Sequence, residues 1–430
     1  MQQCNPSFRD AASVWWRIGW LSFGGPAGQI ALMHRILVEE KRWIDERRFL
    51  QALNYCMLLP GPEAQQLATY IGWLLHGVRG GVVAGVLFIL PGAAVMLGLS
   101  FAYVLLGALP LVDGLLLGVK AAVLAIVVEA LLRLGRRALK GGRDVLLAVG
   151  GFIALYAFAV PFPLLVIAAG VIGFISTRAA MPTDAPVPDT VRRPGTLVAA
   201  LVCLLLWLGT VGGLHVALGG DHVLSRIAVF FSTVAMVTFG GAYSVLSYIA
   251  QQAVETYGWL APGEMLNGLG LAETTPGPLI LVTQFVGFLA AQRAAHGGEH
   301  ALLAGVAGAL LTTWVLFLPS FLWIFAGAPH VERLLHRPRL AGALTAITAA
   351  VLGVIANLAL WFAVNLLFAH NVRIDSFGLA LLVPELSSLR PHILALSVLA
   401  LVLTFGLRLA VLPALGLCAA AGVALVWLGY

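Results

Sequence analysis

The sequence predicts an all-α integral membrane protein made of two homologous multi-helix repeats in inverted topology, with broken or re-entrant helices at two Pro-Gly-Pro tripeptides. Composition is the first observation behind this. Of the residues, 60% are hydrophobic and 10% charged, with a mean hydropathy of +0.97, whereas an ordinary soluble domain carries about 25% charged residues. Repetition is the second. Phe23-Gly24-Gly25, Trp43 and Pro60-Gly61-Pro62 recur 216 positions later as Phe239-Gly240-Gly241, Trp259 and Pro276-Gly277-Pro278, and Val38/Val254, Glu39/Glu255 and Leu50/Leu266 keep the same register. After a polar insertion near 292–300 the offset becomes 228, and Pro91/Pro319, Gly114/Gly342 and Ala121-Ala122-Val123-Leu124 against Ala349-Ala350-Val351-Leu352 agree. Loop charge is the third. The loop after the first element holds Arg35, Lys41, Arg42, Arg47 and Arg48, while its copy, 251–262, holds no Lys or Arg; after the third element Asp113 stands alone, against Arg333, Arg337 and Arg339 in the second half. Basic loops stay cytoplasmic, so the two halves read as inverted.

Taken in order, apolar elements are expected at 11–34, 49–76, 80–109, 111–134, 145–158 and 161–177 in the first half. The second half repeats them at 227–252, 264–291, 302–326, 340–368, 391–408 and 410–429. Most are near the roughly 20 residues a membrane crossing needs. The domain reading is a first repeat over 1–177, a polar, proline-rich linker plus one extra span over 178–218, and a second repeat over 219–430. A single unpaired span between the halves is what would invert the second.

Chemistry is expected where helices break. Pro60 and Pro62 lack an N–H and disfavour helix in the residue before them, and Gly61 adds freedom, so 49–76 must be two half-helices. Pro62 suits a first helical turn, whose unpaired N–H groups and positive dipole end favour anions. Gly24, Gly25 and Pro26 repeat that logic in the first element, followed by Gln29, an amide donor. The expected substrate-binding set is therefore Gly24, Gly25, Gln29, Gly61, Gln65, Gln66, Lys120, Gly240, Gly241 and Gly277, with Pro26, Pro60, Pro62, Pro276 and Pro278 as the breakers. Gln65 and Gln66 read equally as cavity-lining groups or as inter-helix hydrogen-bonding ones. Lys120 lies deep in an apolar stretch, where a cation costs at least about 2.5 kcal/mol; it either faces the ligand or pairs with an acid such as Glu63. Glu63, Glu273 and Glu129 are the possible coupling carboxylates. Glu63 reads equally as a first-turn cap, and Glu129 as a partner of Arg133.

Other classes are excluded. The net charge of +6 resides in short loops, which is topology and not a nucleic-acid footprint. Cys4, Cys56, Cys203 and Cys418 are scattered, giving no disulfide framework and no metal site. No P-loop, HExxH or GxSxG motif is present, so no ATP-driven step or common hydrolytic chemistry is indicated, and no cofactor is called for. The N-terminus shows no removable signal peptide. An intramembrane enzyme or scaffold stays as the rival class; it predicts convergent catalytic side chains, which the sequence does not offer, and no flux in vesicles.

The stretch Phe23-Gly24-Gly25-Pro26-Ala27-Gly28-Gln29, the Trp43 region, Pro60-Gly61-Pro62 with Gln65 and Gln66, Ala84-Gly85 to Leu90-Pro91-Gly92, and Gly118-Val119-Lys120-Ala121-Ala122-Val123 resemble the chromate ion transporter family. Phe239-Gly240-Gly241-Ala242-Tyr243 and Thr275-Pro276-Gly277-Pro278 resemble the second repeat of its long-chain, two-domain members. The resemblance implies a multi-pass secondary carrier of the bacterial inner membrane that exports chromate and gives chromate resistance. It also implies sulfate, a similar tetrahedral dianion, as a competitor or alternative cargo. Membrane lipid and a homodimeric partner are further expectations; nucleic acid is not.

Overall fold

The computed structural model describes residues 6–107, 109–177, 195–239, 241–295, 300–331, 337–376 and 379–429. The linker 178–194, Cys4, Gly240 and Arg333 lie outside the described residues. Helices dominate. The first repeat holds α1 (Phe8–Leu21), α2 (Gly25–His34), α3 (Glu46–Leu58), α4 (Glu63–Leu106), α5 (Pro110–Ala138), α6 (Gly142–Tyr156) and α7 (Phe162–Ser176). The unpaired span is α8 (Thr196–Leu218), and then follow α9 (Val223–Val237), α10 (Ala242–Gln251), α11 (Pro262–Thr274), α12 (Val282–Ala294) and α13 (His300–Gly327). The chain closes with α14 (Pro338–Leu367), the hairpin β1 (Asn371–Ser376) and β2 (Leu379–Pro384), α15 (Pro391–Leu401) and α16 (Val411–Trp427).

Among the described residues, five helical stretches are long and apolar enough to cross a membrane: Glu63–Leu106, Pro110–Ala138, Thr196–Leu218, His300–His330 and Pro338–Leu367. With many large apolar side chains facing outward, among them Leu197, Leu205, Ile167 and Leu303, this is an all-α integral membrane protein. The short β1–β2 hairpin, registered so that Ile374 faces Leu381, was not expected from the sequence. Its signal is the apolar alternation Val372, Ile374 within a polar stretch that otherwise reads as a loop.

Local chemistry sets the boundaries. Ser7 caps α1 by accepting the Asp10 N–H (3.2 Å) while its hydroxyl donates to the Asp10 carboxylate (2.6 Å), and Asp45 caps α3 through the Arg48 N–H (2.8 Å). Leu59, ahead of Pro60, is extended at ψ 146°, as a residue before proline prefers. Inside α4 the helix is interrupted at His76 and Gly77, the latter at φ +63° and ψ −154°. The two halves also end corresponding helices alike. In the first, a π-helical turn at Arg35–Glu40 closes when Lys41 N–H donates to Ile36 and Trp43 N–H to Leu37. In the second, Tyr257 donates to Gln252 and Trp259 to Ala253. Arg42 and its counterpart Gly258 both take positive φ, +53° and +62°.

Contacts group the chain into two compact units. The first holds 1–98, 177–242 and 275–341; the second holds 99–176, 243–274 and 342–430. In the first unit Pro91 lies inside α4 and leaves the Leu87 carbonyl without its helical donor. That carbonyl meets bare Gly19 so closely that a Cβ there would stand 2.3 Å from it. In the second unit α5 and α16 touch backbone to backbone: a Cβ on Gly118 would lie 1.9 Å from the Cys418 carbonyl, and one on Gly422 2.2 Å from that of Gly114. Small residues allow this in a membrane, where packing replaces the hydrophobic drive. Gly151 and Gly353 do the same between α6 and α14.

Candidate functional site

Gly24, Gly25, Gln29, Gly61, Gln65, Gln66, Gly241 and Gly277 all belong to the first unit. Gly24, Gly25, Gly61, Gly241 and Gly277 take φ of +83°, +72°, +121°, +98° and +88°, a region in which glycine is at ease and side chains are strained. Both Pro-Gly-Pro tripeptides are non-helical. Between α3 and α4 lies the first, and between α11 and the 3₁₀ turn Leu279–Leu281 that opens α12 lies the second.

Each tripeptide has one N–H, on its glycine, because proline has none. The Gly61 N–H donates to the Thr238 carbonyl (2.8 Å), and the Gly277 N–H donates to the Ser22 carbonyl (2.7 Å). Ser22 and Thr238 are themselves counterparts in the two repeats, as are the two glycines. Each half's tripeptide is thus tied to the broken first element of the other half, in a reciprocal clasp. Ser22 and Thr238 both turn their hydroxyls back onto their own helices, to Ile18 and Val234 (2.6 Å each), leaving the carbonyls for the clasp. The sequence-based expectation that these glycine N–H groups face a ligand is therefore revised: both are engaged by the protein, and the N–H groups without intrahelical carbonyls are those of the first turn of α4.

Polar side chains surround the breaks. Gln29, 1% exposed, donates to the Gly277 carbonyl (2.6 Å). Gln66 Nε2 reaches back to the Pro60 carbonyl (2.7 Å), and Gln65 Nε2 donates to Thr69 Oγ1 (2.9 Å), whose hydroxyl in turn donates to the Gln65 carbonyl. These partners fix the amide orientations and leave Gln65 Oε1 and Gln66 Oε1 buried without hydrogen bonds. Ser320 Oγ and Gln284 Oε1 are likewise unpaired, although Gln284 Nε2 donates to the Ala93 carbonyl (2.9 Å). Trp323 Nε1 is unpaired as well; each such group costs about 1–3 kcal/mol, and of the five in this unit only the Ser320 hydroxyl and the Trp323 N–H can donate to an anion.

Lys120, Glu129 and Glu273 belong to the second unit. Lys120 is half-buried on α5; its ammonium would stand 3.8 Å from a Cβ on Gly263, and Asp113, Glu264 and Arg390 are the charges acting on it. Tyr103 donates to Glu264 (3.1 Å) and accepts from Asn267 (3.2 Å). Glu129 is paired with Arg133 one turn along α5. Glu273, 5% exposed, accepts the Tyr243 hydroxyl. Glu63 is half-buried and opens α4. Of the breakers, Pro26 sits in the first turn of α2. Ser320 and Asn267 were not singled out from sequence, although each is a lone polar residue in an apolar stretch. Among the described residues no group of three or more His, Cys, Asp or Glu could hold a metal ion.

Broken helices clasped through their backbones within a bundle of apolar helices are the construction of a multi-pass membrane transport protein. The Chromate transporter family model matches residues 9–174 and 225–424, and the chain belongs to that family. It is 30% identical to a chromate transport protein of Cupriavidus metallidurans, over 81% of this chain and 81% of that one. It is 32% identical to a chromate transport protein of Pseudomonas aeruginosa, over 79% of this chain and 77% of the relative. A probable chromate transport protein of Synechococcus elongatus is 26% identical over 82% of this chain and 83% of its own. No solved structure matches the chain.

Proposed function

We propose that this protein is a secondary active carrier that exports chromate across the bacterial inner membrane and thereby confers chromate resistance. The observation that carries this reading is the reciprocal clasp, Gly61 to Thr238 and Gly277 to Ser22, in a chain of the chromate transporter family. It holds irregular backbone at membrane depth, which persists only where protein buries it or a solute path passes.

A tetrahedral dianion is met by the first-turn N–H groups of α4 and by neutral donors at the break; Lys120, in the second unit, is by itself the candidate attractive charge. Fixed dipoles and one cation suit a solute that must also leave. The halves are inverted, as the opposed charge of the copied loops indicates, and one rocks against the other to give alternating access. Glu63 and Glu273 are the candidate coupling carboxylates; Glu129 is held by Arg133 and ranks behind them. None of these donors distinguishes chromate from sulfate by shape, so sulfate is the natural competitor and the runner-up cargo.

The test is made in cells lacking other chromate defences. Expression of the protein should raise the chromate concentration tolerated and lower cell-associated chromium, more so when sulfate is scarce. Tolerance unchanged despite good membrane expression would refute the export reading.

A further inference from the structure

The two Pro-Gly-Pro breaks are alike in sequence and unlike in their surroundings. At the second, Gly277 has both backbone groups engaged, its N–H by the Ser22 carbonyl and its carbonyl by Gln29. Its Cα face is closed as well. A Cβ on Gly277 would stand 3.4 Å from Gly92 Cα and from a Leu281 methyl, while one on Gly92 would come within 2.2 Å of the Pro276 carbonyl. Gly92 has no room for a Cβ and Gly277 is held at a φ of +88° against it, and the residues that follow are Leu281 and Val282.

The first break is built otherwise. In place of Leu281 and Val282 it has Gln65 and Gln66, and in place of Gly92 it meets Ser320, the counterpart of Gly92 in the other repeat. The Cα face of Gly61 looks onto two side-chain donors and no backbone: Ser320 Oγ and Gln66 Nε2 lie 2.7 and 2.8 Å from the position a Cβ would take. Only one of the two Gln66 amide hydrogens is used, on Pro60. Ser320 is 1% exposed, yet its hydroxyl has no partner. Most helical serines and threonines in this chain bond a carbonyl one turn back, as Ser22, Thr238, Thr312 and Ser397 do. Ser320, inside α13, does not, and a buried hydroxyl left unmade against Gly61, just ahead of the N-terminus of α4, marks a place for a ligand acceptor.

We propose that the oxyanion is seated at the Pro60–Gly61–Pro62 break alone, with the Ser320 hydroxyl donating directly to one of its oxygens, and that the Pro276–Gly277–Pro278 copy is a structural clasp. The proposal rests on the carrier reading above and names the half, and the residue, that hold the anion. Duplication supplied two equivalent breaks; substitution around them left donors at one and a sealed backbone contact at the other.

The test is binding of radiolabelled chromate and sulfate to the purified full-length protein, with thermal midpoints measured beside it. Ser320→Ala and Ser320→Gly should each weaken binding about tenfold or more, with the Ser320→Ala thermal midpoint at or above the wild-type value and only Ser320→Gly lowered by its helix propensity, and Ser320→Thr should retain most of the affinity. Ser397→Ala, which loses a buried hydroxyl already bonded to Ile393, should bind as wild type does. Wild-type affinity in both Ser320→Ala and Ser320→Gly would overturn the proposal while leaving the carrier reading intact. Weak binding that only follows a fallen thermal midpoint would also overturn it. A wild-type protein that binds neither anion would sink both.

Discussion

At the scale of single residues, Gly61 is where conformation and chemistry meet. Its φ of +121° and its approach to Ser320 and Gln66 leave no room for a side chain. Gly61→Ala is expected to cost about 1–3 kcal/mol of backbone strain and to lower chromate flux at least tenfold, read as initial uptake rate per amount of protein in the membrane. Flux within twofold of wild type would remove the break from the transport path. Proline and glycine are legible in sequence because they act on their own backbone, so the breaks at 60–62 and 276–278 could be placed without a structure. Ser320 could not: its meaning depends on Gly61, far away in the chain. The same holds for the Gly61 and Gly277 N–H groups, which a local reading leaves free and which carbonyls of the opposite repeat in fact occupy.

At the scale of elements, the first unit combines short helices at the breaks with the long α4, α8 and α13, and the second is held together by close glycine contacts. The helix ends recur because the same backbone hydrogen bonds recur: the π-turn closing on Trp43 is made again at Trp259 and a third time, without a tryptophan, where Leu409 N–H donates to Leu403. Hydropathy located nearly every helix within a few residues, since a membrane helix announces itself by length and apolarity. It could not locate the β1–β2 hairpin, whose six-residue strands are too short to carry such a signal. Nor could it reveal which glycines touch backbone. Gly118 and Gly114 look like any small residues in a helix, and only the packed structure shows the Cys418 carbonyl against one of them. Gly118→Val should therefore destabilise the α5–α16 contact by upwards of about 3 kcal/mol, seen as a marked fall in thermal midpoint in detergent. An unchanged midpoint would mean that this contact does not hold the unit together.

At the scale of the whole molecule, the duplicated halves matter because, in the inverted arrangement proposed for them, such a pair can exchange conformations and so open alternately to either side. Glu40 and Thr256 occupy matched, exposed positions in the two repeats, and the inverted topology proposed above puts them on opposite sides of the membrane. With the native cysteines replaced, Thr256→Cys should react with a membrane-impermeant thiol reagent in spheroplasts and Glu40→Cys only in everted vesicles. Labelling of both from one side would contradict inversion. The family and the membrane class follow from long, specific stretches of sequence; direction of transport, coupling and cargo depend on a few side chains and need flux. The most direct measurement is uptake of labelled chromate into everted inner-membrane vesicles containing this protein, with and without excess sulfate and beside Lys120→Ala. The account predicts chromate accumulation that sulfate suppresses and that falls at least tenfold in Lys120→Ala. No accumulation under any imposed proton gradient or membrane potential, with the protein present in the vesicles, would contradict it.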